Sequence, residues 1–263
     1  MLFLKLFLIS CLISSIGFKK FIYFISYGYG CSISGIGLYL LLSNKGLKAE
    51  EIILGILYIA YGLRLSIFLF IRNQKQTYQK KVGVKFAVHK PKIFANIMIW
   101  LSVALLYACQ ASPLAYRIIS PKKEKENKTL LCICYIISII GFIIEIMADN
   151  QKNNAKKINP NKFVDTGLYR IVRCPNYLGE IIFWTGNFIS GFDVYVGFTQ
   201  WFITILGYVG IVFVMFSGAR RIEINQNQFY GNDEKYKEYI KKTPILIPFL
   251  PLYSVEKYTW LRA

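Results

Sequence analysis

The chain has 263 residues, is 55% hydrophobic and carries a formal net charge of +18, with 32 basic against 14 acidic side chains. Its apolar residues come in long unbroken blocks where a water-soluble core would show periodic stripes, so a soluble globular enzyme is excluded. The single histidine, His89, lies in the lysine-rich stretch KFAVHKPK and reads as a solvated loop residue, which argues against histidine catalysis or a multi-histidine metal site.

Seven apolar blocks follow in chain order, at about 2–17, 21–43, 51–71, 94–119, 129–148, 178–192 and 196–217. The expected fold is therefore all-α: a polytopic membrane helix bundle of about seven transmembrane helices, with basic loops and a basic tail. The first block has the look of a signal peptide, with Lys5 ahead of the apolar run and Ser14, Ser15 and Gly17 after it. A true span is preferred, because Lys19 and Lys20 follow at once and another block begins immediately. No internal repeat and no Pro- or Ser-rich linker divides the chain, so residues 1–263 are expected to form a single membrane domain.

The positive charge is unevenly placed. Lys19 and Lys20, the seven basic residues from Arg72 to Lys92, the six from Lys152 to Arg173, and the tail from Arg220 to Arg262 all fall on alternate sides of successive blocks. The intervening loops hold only Lys45 and Lys48, then four lysines from Lys122 to Lys128 offset by Glu124 and Glu126. That asymmetry is the positive-inside pattern and puts the C-terminus in the cytosol. Much of the charge is thereby accounted for by topology and anionic headgroups, and nucleic-acid binding is not expected. The six cysteines mostly lie inside apolar blocks without ligand spacing and read as small buried hydrophobes. No dinucleotide-binding, phosphate-loop or nucleophile-elbow motif is present in a strand–turn–helix context.

Four polar features interrupt this apolar background. Arg64, in YGLRLSIFLFIR, sits mid-span, while Arg72 near the span's end reads as a snorkelling arginine. Glu145 and Asp149 are four residues apart, hence on one helix face, near the expected end of the fifth span. The third feature is the cassette GLYRIVRCPNYLGE, residues 167–180. Gly167 and the Pro175-Asn176 pair supply turns, Asn176 stands at or near a helix N-cap, and a helix N-terminus favours phosphate. Arg170 and Arg173 would clamp that phosphate, with Glu180 one turn into the helix as a ribose or arginine partner. Glu223, in SGARRIEINQ after the last span, is the fourth. In the tail, NDEKYKEYIKK reads as a short amphipathic helix ended by Thr243-Pro244, with an irregular Pro-rich segment after it.

At these residues the chain resembles the steroid 5-alpha-reductase-like membrane proteins, whose bacterial and protist branch carries RHPNY-x-GE where this chain has RCPNYLGE. Further pieces match in order: YGLRL at 61–65, E-x-x-x-D-x-Q at 145–151, and SG…E…Y…Y…TP…LIP at 217–248. The reductase-like part thus covers about residues 129–250 and the third helix. The resemblance implies a seven-helix bundle that reduces a carbon–carbon double bond conjugated to a carbonyl in a lipid or sterol-like substrate, with NADPH as donor. It places Asp149, Asn176 and Glu180 on nucleotide-binding positions, with Arg170, Arg173 and Tyr177 as neighbours; Glu145 and Glu223 are taken as further cofactor-binding candidates. Tyr61 near Arg64 is the candidate carbonyl partner. Cys174 departs from the family's histidine, and a thiol cannot carry a cation there as imidazole can. Two rival readings stay open. One is an S-adenosylmethionine-dependent lipid or isoprenylcysteine-type methyltransferase, which has a similar RHP-x-Y-x-G element; the other is a non-catalytic membrane protein of the same fold. No obligate protein partner is implied. The orientation has its own test: glycosylation sites inserted between residues 75 and 92 should stay unmodified, and modification there would invert the topology.

Overall fold

A computed structural model of the chain describes residues 1–74, 93–120 and 127–261. His89 and the lysines of the second basic loop lie outside these residues. Within the described residues the secondary structure is helical: α1 Leu2–Ser14, α2 Ile22–Ile25, α3 Tyr27–Ser43, α4 Ala49–Gln74, α5 Ile93–Ile119, α6 Lys128–Ile158, α7 Pro175–Ile189, α8 Gly197–Tyr230 and α9 Glu234–Lys242, with short 3-10 turns at Ser15–Phe18 and Gly167–Arg170. Five helical stretches are long and apolar enough to cross a membrane: Ile22–Ser43 (α2 with α3), α4, α5, α6 and α8. Leu2–Phe18 is apolar but shorter. The chain is an integral membrane protein of the polytopic helical class.

Several helices run further than their apolar blocks. Helix α6 continues from Asp149 to Ile158 through a polar stretch that ends in Lys156 and Lys157. Glu145 and Asp149 are consequently interior helical residues, and the two lysines occupy the C-terminal turn, where cations suit the macrodipole. Likewise α8 reaches Tyr230, so Glu223 is a helical residue and not part of a loop. Hydropathy marks only the lipid-embedded part of a helix; the polar continuation carries no apolar signal.

The described residues form two compact units, Met1–Asn127 with Gly191–Gly207, and Lys128–Ser190 with Tyr208–Ala263. In the first, α3 packs on α4, and α1 on α3 and α5. The α3–α4 contact is made by small residues: a Cβ on Gly30 would meet the Gly62 carbonyl at 2.7 Å, and one on Gly37 would meet the Gly55 carbonyl at 3.1 Å. Lipid offers helices no hydrophobic drive to associate, so close backbone approach and interhelical hydrogen bonds hold them, as Ser34 Oγ does by donating to the Ile59 carbonyl at 3.0 Å. The acidic first turn of α4 is tied by Glu51, whose Oε2 accepts the Lys48 N–H at 2.9 Å. Near the C-terminal end of α5 Arg117, fully buried, pairs with Asp193 at 2.7 Å, and Asp193 also accepts the Asn127 N–H.

In the second unit α6 and α7 cross through the same kind of contact. A Cβ on Gly179 would meet the Glu145 N and the Gly141 carbonyl, each at 2.7 Å, and one on Gly141 would meet the Gly179 carbonyl at 2.6 Å. Ser138 Oγ donates to the Phe183 carbonyl at 3.2 Å across the pair. Gly179→Val should force the two backbones apart and lower stability by about 1–3 kcal/mol or more. Thermal denaturation in detergent checks this, and an unchanged midpoint would disprove the contact.

Candidate functional site

The glycine crossing brings the acidic residues of α6 and α7 together. Because Gly179 lies against the backbone of Glu145, Glu145 and Glu180 occupy facing turns. Glu145, Asp149 and Glu180 are all buried. Three carboxylates removed from water inside one unit are costly unless donors or cations meet them, which marks this end of the crossing as a functional candidate. Asn176 and Tyr177, half-buried, stand in the first turn of α7, and Arg170 is exposed on the 3-10 turn ahead of it.

The loop that carries Arg170 is fixed to α6. Gly167 has φ +62°, the left-handed region that favours glycine, and the Leu168 N–H donates to Gln151 Oε1 at 2.9 Å. Gln151, the last member of E-x-x-x-D-x-Q, is thus a turn-holding residue. Tyr169 is buried, donates its hydroxyl to the Ala148 carbonyl at 3.3 Å, and accepts on its own carbonyl from the Tyr239 hydroxyl at 2.7 Å. Burial, with the Asp149 carboxylate nearby, holds the Tyr169 phenol well above its usual range, so it is a neutral donor at physiological pH.

Two expectations meet a different geometry here. Arg173, read as the second half of a phosphate clamp, is 2% exposed and points into the protein. Its Nη2 pairs with Glu223 Oε1 at 2.8 Å and donates to the Tyr253 carbonyl, while Glu223 Oε2 accepts the Val255 N–H at 2.8 Å. Arg173 and Glu223 are therefore each other's partners, and together they clamp the tail. The N-terminus of α7 is also more engaged than a free phosphate cradle would be. The Arg173 and Cys174 N–H groups donate to the Pro244 and Ile245 carbonyls at 2.9 and 3.0 Å, and Pro175 has no N–H. The Tyr177 and Leu178 N–H groups donate to the Cys174 carbonyl. Cys174, not Asn176, is the cap residue, and it makes no side-chain cap bond.

Cys174 has an apolar role. It is buried in a cluster with Ala219, Ile245, Leu246, Val255 and Leu261. Burial pushes its thiol up to about 11, outweighing the nearby Lys152 and Arg173 cations, so the neutral thiol persists at pH 7. The tail that packs here begins with α9, whose Tyr236 and Tyr239 rings lie 5.3 and 5.4 Å from Phe163. The helix ends at Thr243, and the Pro-rich segment after it is irregular. Arg221, exposed on α8, lies beside Tyr177 and hydrogen-bonds to it. Sequence reading passed over Arg221, which differs in no local feature from its neighbour Arg220.

Tyr61 and Arg64 belong to the other unit. Tyr61 is fully buried, with its hydroxyl 3.4 Å from that of Tyr29, and the Tyr29 ring lies 5.1 Å from Tyr107. Arg64 is half-buried, with its guanidinium 5.2 Å from the Phe68 ring centroid.

A model of the family described as a protein of unknown function, DUF1295, matches residues 12–243. Among curated proteins, 3-oxo-5-alpha-steroid 4-dehydrogenase 1 of Rattus norvegicus is 25% identical over 118 residues, covering 44% of this chain and 40% of the relative. Steroid 5-alpha-reductase DET2 of Gossypium hirsutum is 27% identical over 136 residues, 49% of this chain and 47% of the relative. The matched segment is thus less than half the length of these relatives. No solved structure matches.

The clamp yields a stability prediction. Glu223→Ala leaves a buried guanidinium uncompensated and should lower stability by about 3–5 kcal/mol, whereas the paired change Arg173→Met with Glu223→Leu should recover most of it. Thermal midpoints of the three proteins in detergent decide; equal loss in single and double variants would reject the pairing.

Proposed function

This chain belongs to the DUF1295 family, and from that membership and the site above we propose that it is a membrane reductase acting on a carbon–carbon double bond conjugated to a carbonyl in a steroid-like lipid, with NADPH as hydride donor. The observation that carries the reading is the convergence of Glu145, Asp149, Asn176, Tyr177 and Glu180 at one end of the α6–α7 crossing, beside exposed arginines. The names of the curated relatives, a 3-oxo-5-alpha-steroid 4-dehydrogenase and a steroid 5-alpha-reductase, support the reaction class.

The donor set fits a dinucleotide. Buried carboxylates accept hydrogen bonds from ribose hydroxyls, so Asp149 and Glu180 take that role, with Glu145 behind them and the Asn176 amide and Tyr177 hydroxyl as neighbouring donors. The backbone N–H groups at this turn being largely engaged, phosphate charge falls to the exposed side chains Arg170 and Arg221. Arg173 and Glu223 act one step back, holding the loop in shape. NADPH supplies the hydride when bound. The chain's own work is to hold the lipid in a dry site and to polarise its carbonyl, for which the buried Tyr61 hydroxyl is the candidate donor. The positive-inside charge pattern supports placing the nucleotide end in the cytosol, where NADPH is available.

The rival lipid methyltransferase would bind S-adenosylmethionine, so one experiment separates the two. NADPH at 100 times its dissociation constant should stabilise the purified protein by about 2.7 kcal/mol, and S-adenosylmethionine should not. Arg170→Ala should weaken NADPH binding roughly tenfold or more, since a charge-assisted hydrogen bond contributes about 1.5–3 kcal/mol. Stabilisation by S-adenosylmethionine alone would replace this reading with the methyltransferase. Response to neither ligand would replace it with a non-catalytic protein of the same fold.

A further inference from the structure

Helix α5 carries more polar side chains than a span through lipid needs. Tyr107 donates its hydroxyl to the Phe24 carbonyl at 2.9 Å, Ser112 Oγ donates to the Cys109 carbonyl at 2.7 Å, and Arg117 pairs with Asp193. Gln110 is different. It is 3% exposed, and neither its Nε2 nor its Oε1 has a hydrogen-bond partner among the described residues. A carboxamide offers two donors and an acceptor, and burying it unmet opposes folding. A leucine or methionine would serve packing better at this position.

The backbone around Gln110 is also unusual. Pro113 stands inside α5 and has no N–H, so the carbonyl four residues back, on Cys109, loses its helical donor. Ser112 takes that carbonyl instead. Gly207 of α8 presses on the same turn, where a Cβ would meet the Cys109 carbonyl carbon at 2.6 Å and the Gln110 N at 2.7 Å. The opened turn is thereby re-satisfied and held rigid, as happens where a broken membrane helix lines a binding position. Tyr107, Gln110, Leu114 and Arg117 follow at helical spacing on one buried face. Tyr107 packs on Tyr29, whose hydroxyl meets that of Tyr61. Gln110 therefore lies one helical turn along α5 from the tyrosine cluster that holds the candidate carbonyl donor.

We infer that the Gln110 side-chain amide is a substrate-binding group, whose Nε2 donates a hydrogen bond to the carbonyl oxygen of an apolar lipid bound within the first unit. A carbonyl oxygen has two lone pairs and accepts from an amide and a phenol together. This deepens the proposed function and rests on its reading that the substrate is a conjugated carbonyl lipid.

The test uses the full chain in detergent with progesterone, a 3-oxo-4-ene steroid, as probe, and its 3-deoxy counterpart, which lacks the acceptor oxygen at that position, as control. Gln110→Met and Gln110→Leu each remove the amide at similar volume. The ligand-free midpoint should stay the same or rise, and the NADPH-induced shift should be unchanged. Affinity for the ketone should fall roughly tenfold or more while that for the 3-deoxy steroid does not move. A lower ligand-free midpoint in both variants would mean that Gln110 has a structural partner, and would overturn the inference. So would an unaltered ketone response, or loss of the NADPH shift in place of the ketone shift. Wild-type protein that responds to none of progesterone, a long-chain 2-enal and a polyprenal overturns it as well. If NADPH fails to stabilise the wild type but the ketone does so in a Gln110-dependent way, the reductase reading falls and the binding group stands.

Discussion

A guanidinium shut away from water governs the shape of the polar half of this protein. Arg173 cannot be left unmatched at 2% exposure, and its match comes from two distant places at once: the Glu223 carboxylate on α8 and the Tyr253 carbonyl in the tail. Satisfying it fixes the tail against the loop, and the tail in turn supplies the carbonyls of Pro244 and Ile245 to the turn that opens α7. The position of Asn176, Tyr177 and Glu180 therefore follows from an interaction in which none of them takes part. Cys174 belongs to the same assembly: it fills an apolar space behind the turn, and its neutral thiol there carries no charge to a ligand.

Backbone contact is the complementary constraint. Where lipid gives helices no reason to associate, Gly30 with Gly62 and Gly141 with Gly179 let carbonyls come within van der Waals reach of the facing helix. In the second unit this contact is what sets Glu145 opposite Glu180, so the acidic end of the crossing depends on the absence of two side chains.

Much of the fold could be read from hydropathy alone, because lipid-embedded helices must be apolar in unbroken runs. The five long spans coincide with five of the expected blocks, and the first and sixth blocks fall on shorter helical stretches, Leu2–Phe18 and Pro175–Ile189. Helix ends were less legible. The polar stretches after Asp149 and after Ser217 stay helical because tertiary contacts hold them, as when Lys156 Nζ donates to the Tyr230 hydroxyl at 2.8 Å, and nothing in their composition announces it. The site was legible as a set of residues and not as a set of roles. Arg170 and Arg173 are three apart in one loop and look alike in sequence, yet one is exposed and the other is a buried clamp. The distinction lies in Glu223 and Tyr253, 50 and 80 residues downstream, beyond the reach of any local pattern.

Those separations bear on how the chain is made. A ribosome delivers Arg173 long before Glu223, and Glu223 before Val255, so the loop emerges without the groups that define it. Spans α6 and α7 can enter the membrane and cross while the arginine between them still faces water. Only when the downstream strap has been synthesised can the cation be drawn inside and the turn ahead of α7 take its final form. The Arg173–Glu223 pair thus cannot close until the tail has been made, and a nascent chain cut off before it would present membrane helices joined by an unfinished polar loop.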